Sequence, residues 1–199
     1  MSVKTVTVYA ASSRALDSVY VDAAARLGET LGRTGYRVVY GGGSHGLMGA
    51  MADAALARGA EVHGIIPEFL TRVEAGHPGL TSLEIVSDMR ARKARMLEDS
   101  DAVIALPGGC GTFEELFEAM TLKRLGQFLG PIVLVNTHDY YRTLLDFLRH
   151  SVAEHFMNRT HLEMWQTVDE PEQAPEALAR AGHWDARSAL ETAAVGPAS

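Results

Sequence analysis

Ala102-Val103-Ile104-Ala105-Leu106 carries no polar side chain and runs straight into Pro107-Gly108-Gly109-Cys110-Gly111-Thr112. So short an apolar run, without alternation, fits a parallel strand covered on both faces. A parallel strand reaches its neighbours only through crossovers, which are usually helices. The chain supplies both parts. Val3–Ala10, Tyr36–Tyr40, Glu61–Ile66, Leu83–Val86 and Ile132–Val135 are further Val- and Ile-rich runs. Between them, Tyr20, Ala24, Leu27 and Leu31 recur at helical spacing before Gly35, and Leu47–Arg58 stops at Gly59. Asp88–Asp99, Thr112–Leu125 and Tyr140–Phe156 read as helices too. This alternation predicts an α/β fold, a doubly wound parallel sheet flanked by helices.

The length of 199 residues suits a single domain, expected over residues 1–185, with 186–199 as a flexible tail. Beyond about Met164 the pattern fades; Pro171–Gly182 reads as one amphipathic helix and Ala193–Ser199 as a frayed end. Pro67–Leu80 interrupts the alternation as a loop of functional length. A net charge of −7 argues against a broad nucleic-acid interface but leaves room for one phosphate in a local pocket. The single cysteine, Cys110, excludes an internal disulfide framework and suits a reducing compartment. Met1–Ala11 lacks the pattern of a signal peptide, and no apolar run is long enough for a membrane helix. The expected location is the cytoplasm.

Two glycine-rich turns stand where strands hand over to helices: Gly41-Gly42-Gly43-Ser44-His45-Gly46-Leu47-Met48-Gly49 and Pro107–Thr112. Glycine lets a backbone approach a ligand closely, and the free N–H groups of the following helix face an anion. Neither turn is a Walker loop, and although Gly41, Gly43 and Gly46 keep the Gly-x-Gly-x-x-Gly spacing, Gly46 begins a Gly-Leu-Met-Gly run unlike that of a dinucleotide site. Either could be a tight turn without a ligand; two at strand ends of one small sheet favour an anion site. Ser12 and Ser13, after the first run, would bind the ligand or cap the next helix. Glu114 and Glu115 directly follow the second turn. Glu114, Glu118 and Thr121 share the helix face opposite Phe113, Leu116 and Met120, a face expected to look into the cleft. Carboxylates beside a phosphate suit general-base work or stabilisation of a cationic transition state. Arg90, Arg92, Lys93 and Arg95 form the densest basic spot of an acidic chain, either a solvated face or a phosphate grip. The eight histidines show no metal-binding spacing, and Cys110 has no evident base.

These motifs together resemble the LOG (Lonely guy) family of cytokinin-activating phosphoribohydrolases. The resemblance runs from about Val3 to Val135. It rests on Gly41–Gly43 with Gly46-Leu47-Met48-Gly49, on Met89-x-x-Arg92-Lys93, and on Pro107-Gly108-Gly109-x-Gly111-Thr112-x-Glu114-Glu115. It implies a Rossmann-like fold without a dinucleotide and no cofactor. The implied reaction is hydrolysis of the N-glycosidic bond of an N6-modified adenosine 5′-monophosphate. The family's essential arginine and glutamate fall on Arg92 and Glu115. Its nucleotide contacts fall on Glu74, Arg92, Lys93, Gly108, Gly109, Cys110, Gly111, Thr112, Phe113, Glu114 and Thr121. The residue reading adds Gly42, Gly43 and Ser12. The family's homodimers imply that Met89–Met96 and Glu114–Leu125 meet a second chain. The chain departs from the family at Arg90-Ala91, often His-Glu, and at Ala11, often Gly. Related sequences have been labelled lysine decarboxylases, but none of Lys4, Lys93 and Lys123 has the surroundings of a Schiff-base lysine. The rival readings are a nucleotide or molybdenum-cofactor carrier, which needs the anion loop but not Arg92 with Glu115, and a broader AMP nucleosidase.

Overall fold

The structure, a computed structural model, describes residues 4–74 and 76–193. The chain runs through β1 (Thr5–Tyr9), α1 (Ser18–Thr34), β2 (Arg37–Tyr40), α2 (Gly46–Ala57), β3 (Val62–Pro67), β4 (Ser82–Val86) and α3 (Met89–Glu98). It continues through β5 (Ala102–Ala105), α4 (Cys110–Arg124), β6 (Ile132–Val135), α5 (Arg142–Ala153), β7 (Trp165–Val168), α6 (Ala174–Arg180) and α7 (Ala186–Thr192). The seven strands form one sheet in the order β4-β3-β2-β1-β5-β6-β7, every pair parallel. From β1 the chain winds outward to β4, then returns to β5 on the other side of β1. That reversal leaves a crevice above the carboxyl ends of β1 and β5, where ligands of such sheets bind.

Alternating strand side chains divide the core into two layers. Val6, Val8, Val38, Tyr40, Ile104 and Val133 pack with α1, α2 and α6. Tyr9, Val39, Val103, Ala105, Ile132 and Leu134 pack with Met96 of α3, Leu116 and Met120 of α4, and Leu148 of α5. Asp17 caps α1 by accepting from the Val19 N–H, and Gly35, at φ 77°, closes it. Asp88 caps α3 by accepting from the Arg90 and Ala91 N–H groups, which holds its carboxyl below the usual range. This cap sets the direction from which α3 delivers Arg92 to the crevice.

Three differences from the expected pattern have physical causes. β7 is a seventh strand at the sheet edge, where Gln166 and Thr167 tolerate solvent and blur the apolar signal. Pro171–Gly182 begins as a 3₁₀ turn over Pro171–Gln173 before α6 starts, with Pro175 in the first turn of α6. Residues 186–192 of the expected tail form α7. The Arg124 guanidinium donates to the Ala193 carbonyl, and the His161 ring hydrogen-bonds the Thr192 carbonyl. The rest of the expected frayed end, 194–199, lies outside the described residues. Among the described residues no helix is long and apolar enough to cross a membrane.

Candidate active site

A cleft of about 380 Å³ occupies the crevice. Ala10, Ala11, Ser12 and Ser13 line it from the end of β1, and Gly109, Gly111, Thr112 and Glu115 from the start of α4. Met48 comes from α2, Leu70 and Glu74 from the loop after β3, and Met89 and Arg92 from α3. Because Asp17 caps α1, Ser12 and Ser13 are not its caps and are left to face the cleft.

The Pro107–Thr112 turn presents its backbone to this space. The first backbone bond of α4 is from the Phe113 N–H to the Gly109 carbonyl, at 2.9 Å. The N–H groups of Gly109, Cys110, Gly111 and Thr112 have no acceptor among the described residues. These are the orphan donors of a helix start, gathered where the helix dipole favours an anion. A methyl group added at Gly109 or Gly111 would meet nothing within 4 Å. Nor is either backbone among the glycines at positive φ. The chain's own packing therefore does not demand glycine there, and the bare backbone stays open to close approach from the cleft.

The first glycine turn behaves differently. The Leu47 and Met48 N–H groups both donate to the Ala11 carbonyl, at 2.9 and 3.2 Å. The Tyr40 hydroxyl donates to the Gly43 carbonyl, and the His77 N–H to the Gly42 carbonyl. Gly42 and Gly43 do not line the cleft. They stand behind it: a methyl at Gly43 would overlap the Glu74 carboxylate, and one at Gly41 would overlap the Arg92 guanidinium.

Arg92 and Glu115 are both buried, 7% exposed each, and face one another at 3.9 Å. Arg92 also donates to the Gly41 carbonyl at 3.3 Å, while its Nε has no hydrogen-bond partner among the described residues. Burial raises the Glu115 carboxyl to about 7, against the opposing pull of the Arg92 charge. Glu115 and Glu118 in turn help burial to raise the Tyr9 hydroxyl well above its ordinary value. Glu74 carries a buried Oε1 without a hydrogen-bond partner among the described residues.

Several residues expected at the site lie elsewhere. Lys93 ion-pairs with Glu114 and Glu118 at 2.6 and 2.7 Å, tying α3 to α4. Glu115, not Glu114, turns into the cleft, because at 100° per residue it follows Thr112 on one face of α4. Phe113 packs edge-on against Tyr141. Cys110 is exposed at the first residue of α4, outside the cleft lining. Thr121 lies across α4, in an apolar depression of about 260 Å³ with Phe117, Met120 and Leu148. Arg95 joins Glu84, Glu98 and Asp99 in a surface cluster. Of the basic group only Arg92 reaches the cleft. None of the three lysines lines it; Lys123 is buried beneath Trp184 and donates to the Gly130 carbonyl. Sequence reasoning assigned no role to Met48, Leu70 and Met89, although Met48 and Met89 sit inside its own motifs.

The crevice position, the open N–H groups of the Pro107–Thr112 turn and the buried arginine–carboxylate pair together form one candidate ligand site on a Rossmann-like sheet. The chain belongs to the LOG family, whose family model, described as "Possible lysine decarboxylase", matches residues 48–178. It is 46% identical over 155 residues to the cytokinin riboside 5′-monophosphate phosphoribohydrolase of Rhodococcoides fascians, covering 77% of this chain and 78% of the relative. It is 43% identical over 159 residues to a cytokinin riboside 5′-monophosphate phosphoribohydrolase of Arabidopsis thaliana, covering 80% of this chain and 74% of the relative. Among solved structures, the molybdenum cofactor carrier protein of Chlamydomonas reinhardtii superposes with a TM-score of 0.70 at 17% identity, covering 89% of this chain and 97% of that one. That last likeness concerns the fold alone.

Proposed function

We propose that the protein hydrolyses the N-glycosidic bond of N6-modified adenosine 5′-monophosphates, giving free base and ribose 5-phosphate. The observation that carries this reading is one cleft holding both the unaccepted N–H groups of Gly109–Thr112 and the buried Arg92–Glu115 pair. The 5′-phosphate takes those N–H groups and the Thr112 hydroxyl. The ribose then lies across the first turn of α4, against Glu115. Water adds to C1′ as the C1′–N9 bond breaks, its electron pair leaving on the base. Positive charge develops on the sugar ring, and ionised Glu115 opposes it and takes the water's proton. The departing base gains a proton in exchange. Arg92 favours the ionised form of Glu115, while burial keeps its affinity for protons near neutrality, where a general base works well. Met48, Leu70 and Met89 offer an apolar wall for a purine and its N6 substituent, and Glu74 an unpartnered acceptor for a base N–H. The names of the relatives support the same reaction.

The protein works in the cytoplasm as a homodimer, with α3 and α4 at the contact. The exposed ring of Phe117 beside the apolar depression supports the part given to α4. Met96 gives no such support, being fully buried within its own chain. A fully active monomer at micromolar concentration would contradict the dimer.

The test is release of free base from isopentenyladenosine monophosphate, AMP and the unphosphorylated riboside. Two charge-assisted bonds at about 1.5–3 kcal/mol each predict a preference for the monophosphate of roughly 10²–10⁴ over the riboside. Equal rates on both overturn the phosphate cradle. Binding of nucleotides with no turnover of any overturns the enzyme in favour of a carrier.

A further inference from the structure

Tyr140 is not among the residues that line the cleft, yet it reaches the Pro107–Thr112 turn. After β6, His138 and Asp139 adopt φ of 52° and 60°, a left-handed conformation that non-glycine residues rarely hold. Buried Asn136 maintains this turn, donating to Asp139 and accepting from the Tyr141 N–H at 2.7 Å. The turn delivers Tyr140 and Tyr141 side by side beneath the end of β5. The Tyr140 hydroxyl donates to the Gly108 carbonyl at 2.6 Å, and the Tyr141 hydroxyl to the Leu106 carbonyl at 2.6 Å. The Tyr140 ring is held edge-on between Tyr20 of α1 and Tyr141.

We infer that Tyr140 is a positioning residue for phosphate recognition: its hydroxyl fixes the Gly108–Gly109 peptide plane so that the Gly109 N–H faces the ligand. In a trans peptide the carbonyl and the following N–H point in opposite directions, and none of the described peptides is cis. Holding the Gly108 oxygen toward Tyr140 therefore turns the Gly109 N–H away from it. A Gly-Gly step has no side chain to resist rotation, so an outside hydroxyl must set the plane. Tyr141 provides the contrast. The Leu106 carbonyl precedes Pro107, which has no N–H to aim. Its bond holds the loop without directing a donor. The inference rests on Gly109–Thr112 being the phosphate site.

Tyr140→Phe removes the hydroxyl and keeps the ring contacts. The measurements are calorimetric binding of ribose 5-phosphate, kcat and KM for the monophosphate and the riboside, and thermal midpoint. Ribose 5-phosphate affinity is expected to fall on the order of tenfold, with a matching rise in KM for the monophosphate. The kcat, the riboside rate and the thermal midpoint should change little. Tyr141→Phe should do the reverse, lowering the midpoint while leaving the monophosphate-to-riboside ratio intact. Parent-like ribose 5-phosphate affinity in Tyr140→Phe, or the same loss in both variants, overturns the inference. A parent protein that does not bind ribose 5-phosphate overturns the phosphate site itself, before any variant is made, and this inference falls with it.

Discussion

The two glycine-rich turns share their composition and their place in the fold, and carbonyls of both are held by distant residues, yet they differ in the N–H groups at the start of the following helix. In the first, N–H groups are consumed as well as the carbonyls of Gly41, Gly42 and Gly43: Leu47 and Met48 both donate to the Ala11 carbonyl. In the second, carbonyls are consumed: Tyr140 and Tyr141 take the oxygens of Gly108 and Leu106, and the N–H groups of Gly109–Thr112 remain. The first turn's glycines make room for the chain's own Arg92 and Glu74, whereas Gly109 and Gly111 face open space. Which backbone groups of a glycine turn stay open to a ligand depends on which ones distant residues satisfy, and glycine content alone does not reveal that.

The largest effect expected from this contrast is on turnover at the second turn. Glu115→Gln keeps the volume and removes the charge, and kcat should fall roughly 10²–10⁴-fold. Nucleotide affinity should change little, because the proposed phosphate grip lies on the adjoining backbone. Arg92→Ala should also abolish turnover. The double variant should lose less than the sum of the two, since the residues form one buried pair. Single-turnover base release is the measurement, and a Glu115→Gln protein at the parental rate would break the mechanism.

Alanine substitutions separate the turns more directly. Gly46 sits at φ +61°, and a methyl there would press on backbone atoms of Ser12 and Ser13. Gly46→Ala should cost about 2–3 kcal/mol of stability. Gly111→Ala meets no atom of the chain, so its thermal midpoint should match the parent's while ribose 5-phosphate binding falls. The reverse outcome, with Gly111→Ala unfolding and Gly46→Ala losing only ligand, would exchange the roles assigned to the turns.

Six of the seven strands were legible in the sequence: five are interior and mostly apolar runs, and the edge strand β4 still shows Leu83, Ile85 and Val86. β7 was not, because an edge strand can carry Gln166 and Thr167. Arg92, Glu115 and the Pro107–Thr112 turn were legible as motifs, since a site on a strand-to-helix turn is local in sequence. The division of labour between the turns was not, because Ala11 and Tyr140 are remote from the residues they satisfy. That Lys93 pairs with Glu114 and Glu118 was not legible either. Helical spacing places residues on a face but does not say which face meets a neighbouring helix. Tyr140 read only as the opening of a helix; nothing in its local pattern points to Gly108.

A smaller effect follows from the placing of a buried carboxyl at the second turn. The Glu115 carboxyl rises from an ordinary 4.5 to about 7, chiefly by burial. Between those values the folded chain retains a proton that the unfolded chain has released. Stability therefore declines as pH rises through this window: the penalty for burying the charge is absent below it and complete above it. Glu115→Gln removes that penalty. The variant should be more stable than the parent at pH 8, by roughly 2 kcal/mol after allowing for the partner Arg92 loses, and equal to it near pH 4. Denaturant unfolding at the two pH values measures the difference. A variant less stable than the parent at pH 8 would mean that the Arg92–Glu115 attraction outweighs the burial of the charge.

The smallest effect belongs to the first turn. His77 is buried, donates its backbone N–H to the Gly42 carbonyl at 3.0 Å and accepts the Gly79 N–H on Nδ1 at 3.1 Å. With Nδ1 accepting, the ring proton sits on Nε2, which faces Asp53 on α2 at 2.9 Å. This contact fastens the loop that carries Glu74 to the helix that follows the first turn. Because the Asp53 side chain is largely exposed, water can replace it, and Asp53→Ala should cost only about 0.5–1 kcal/mol of stability. Loosening the loop should raise KM for the monophosphate a few-fold, through Glu74, and leave kcat alone. Steady-state kinetics on the monophosphate reads this split. If kcat instead fell as far as in Glu115→Gln, the first turn would share in the chemistry, and the opposition between the two turns would no longer hold.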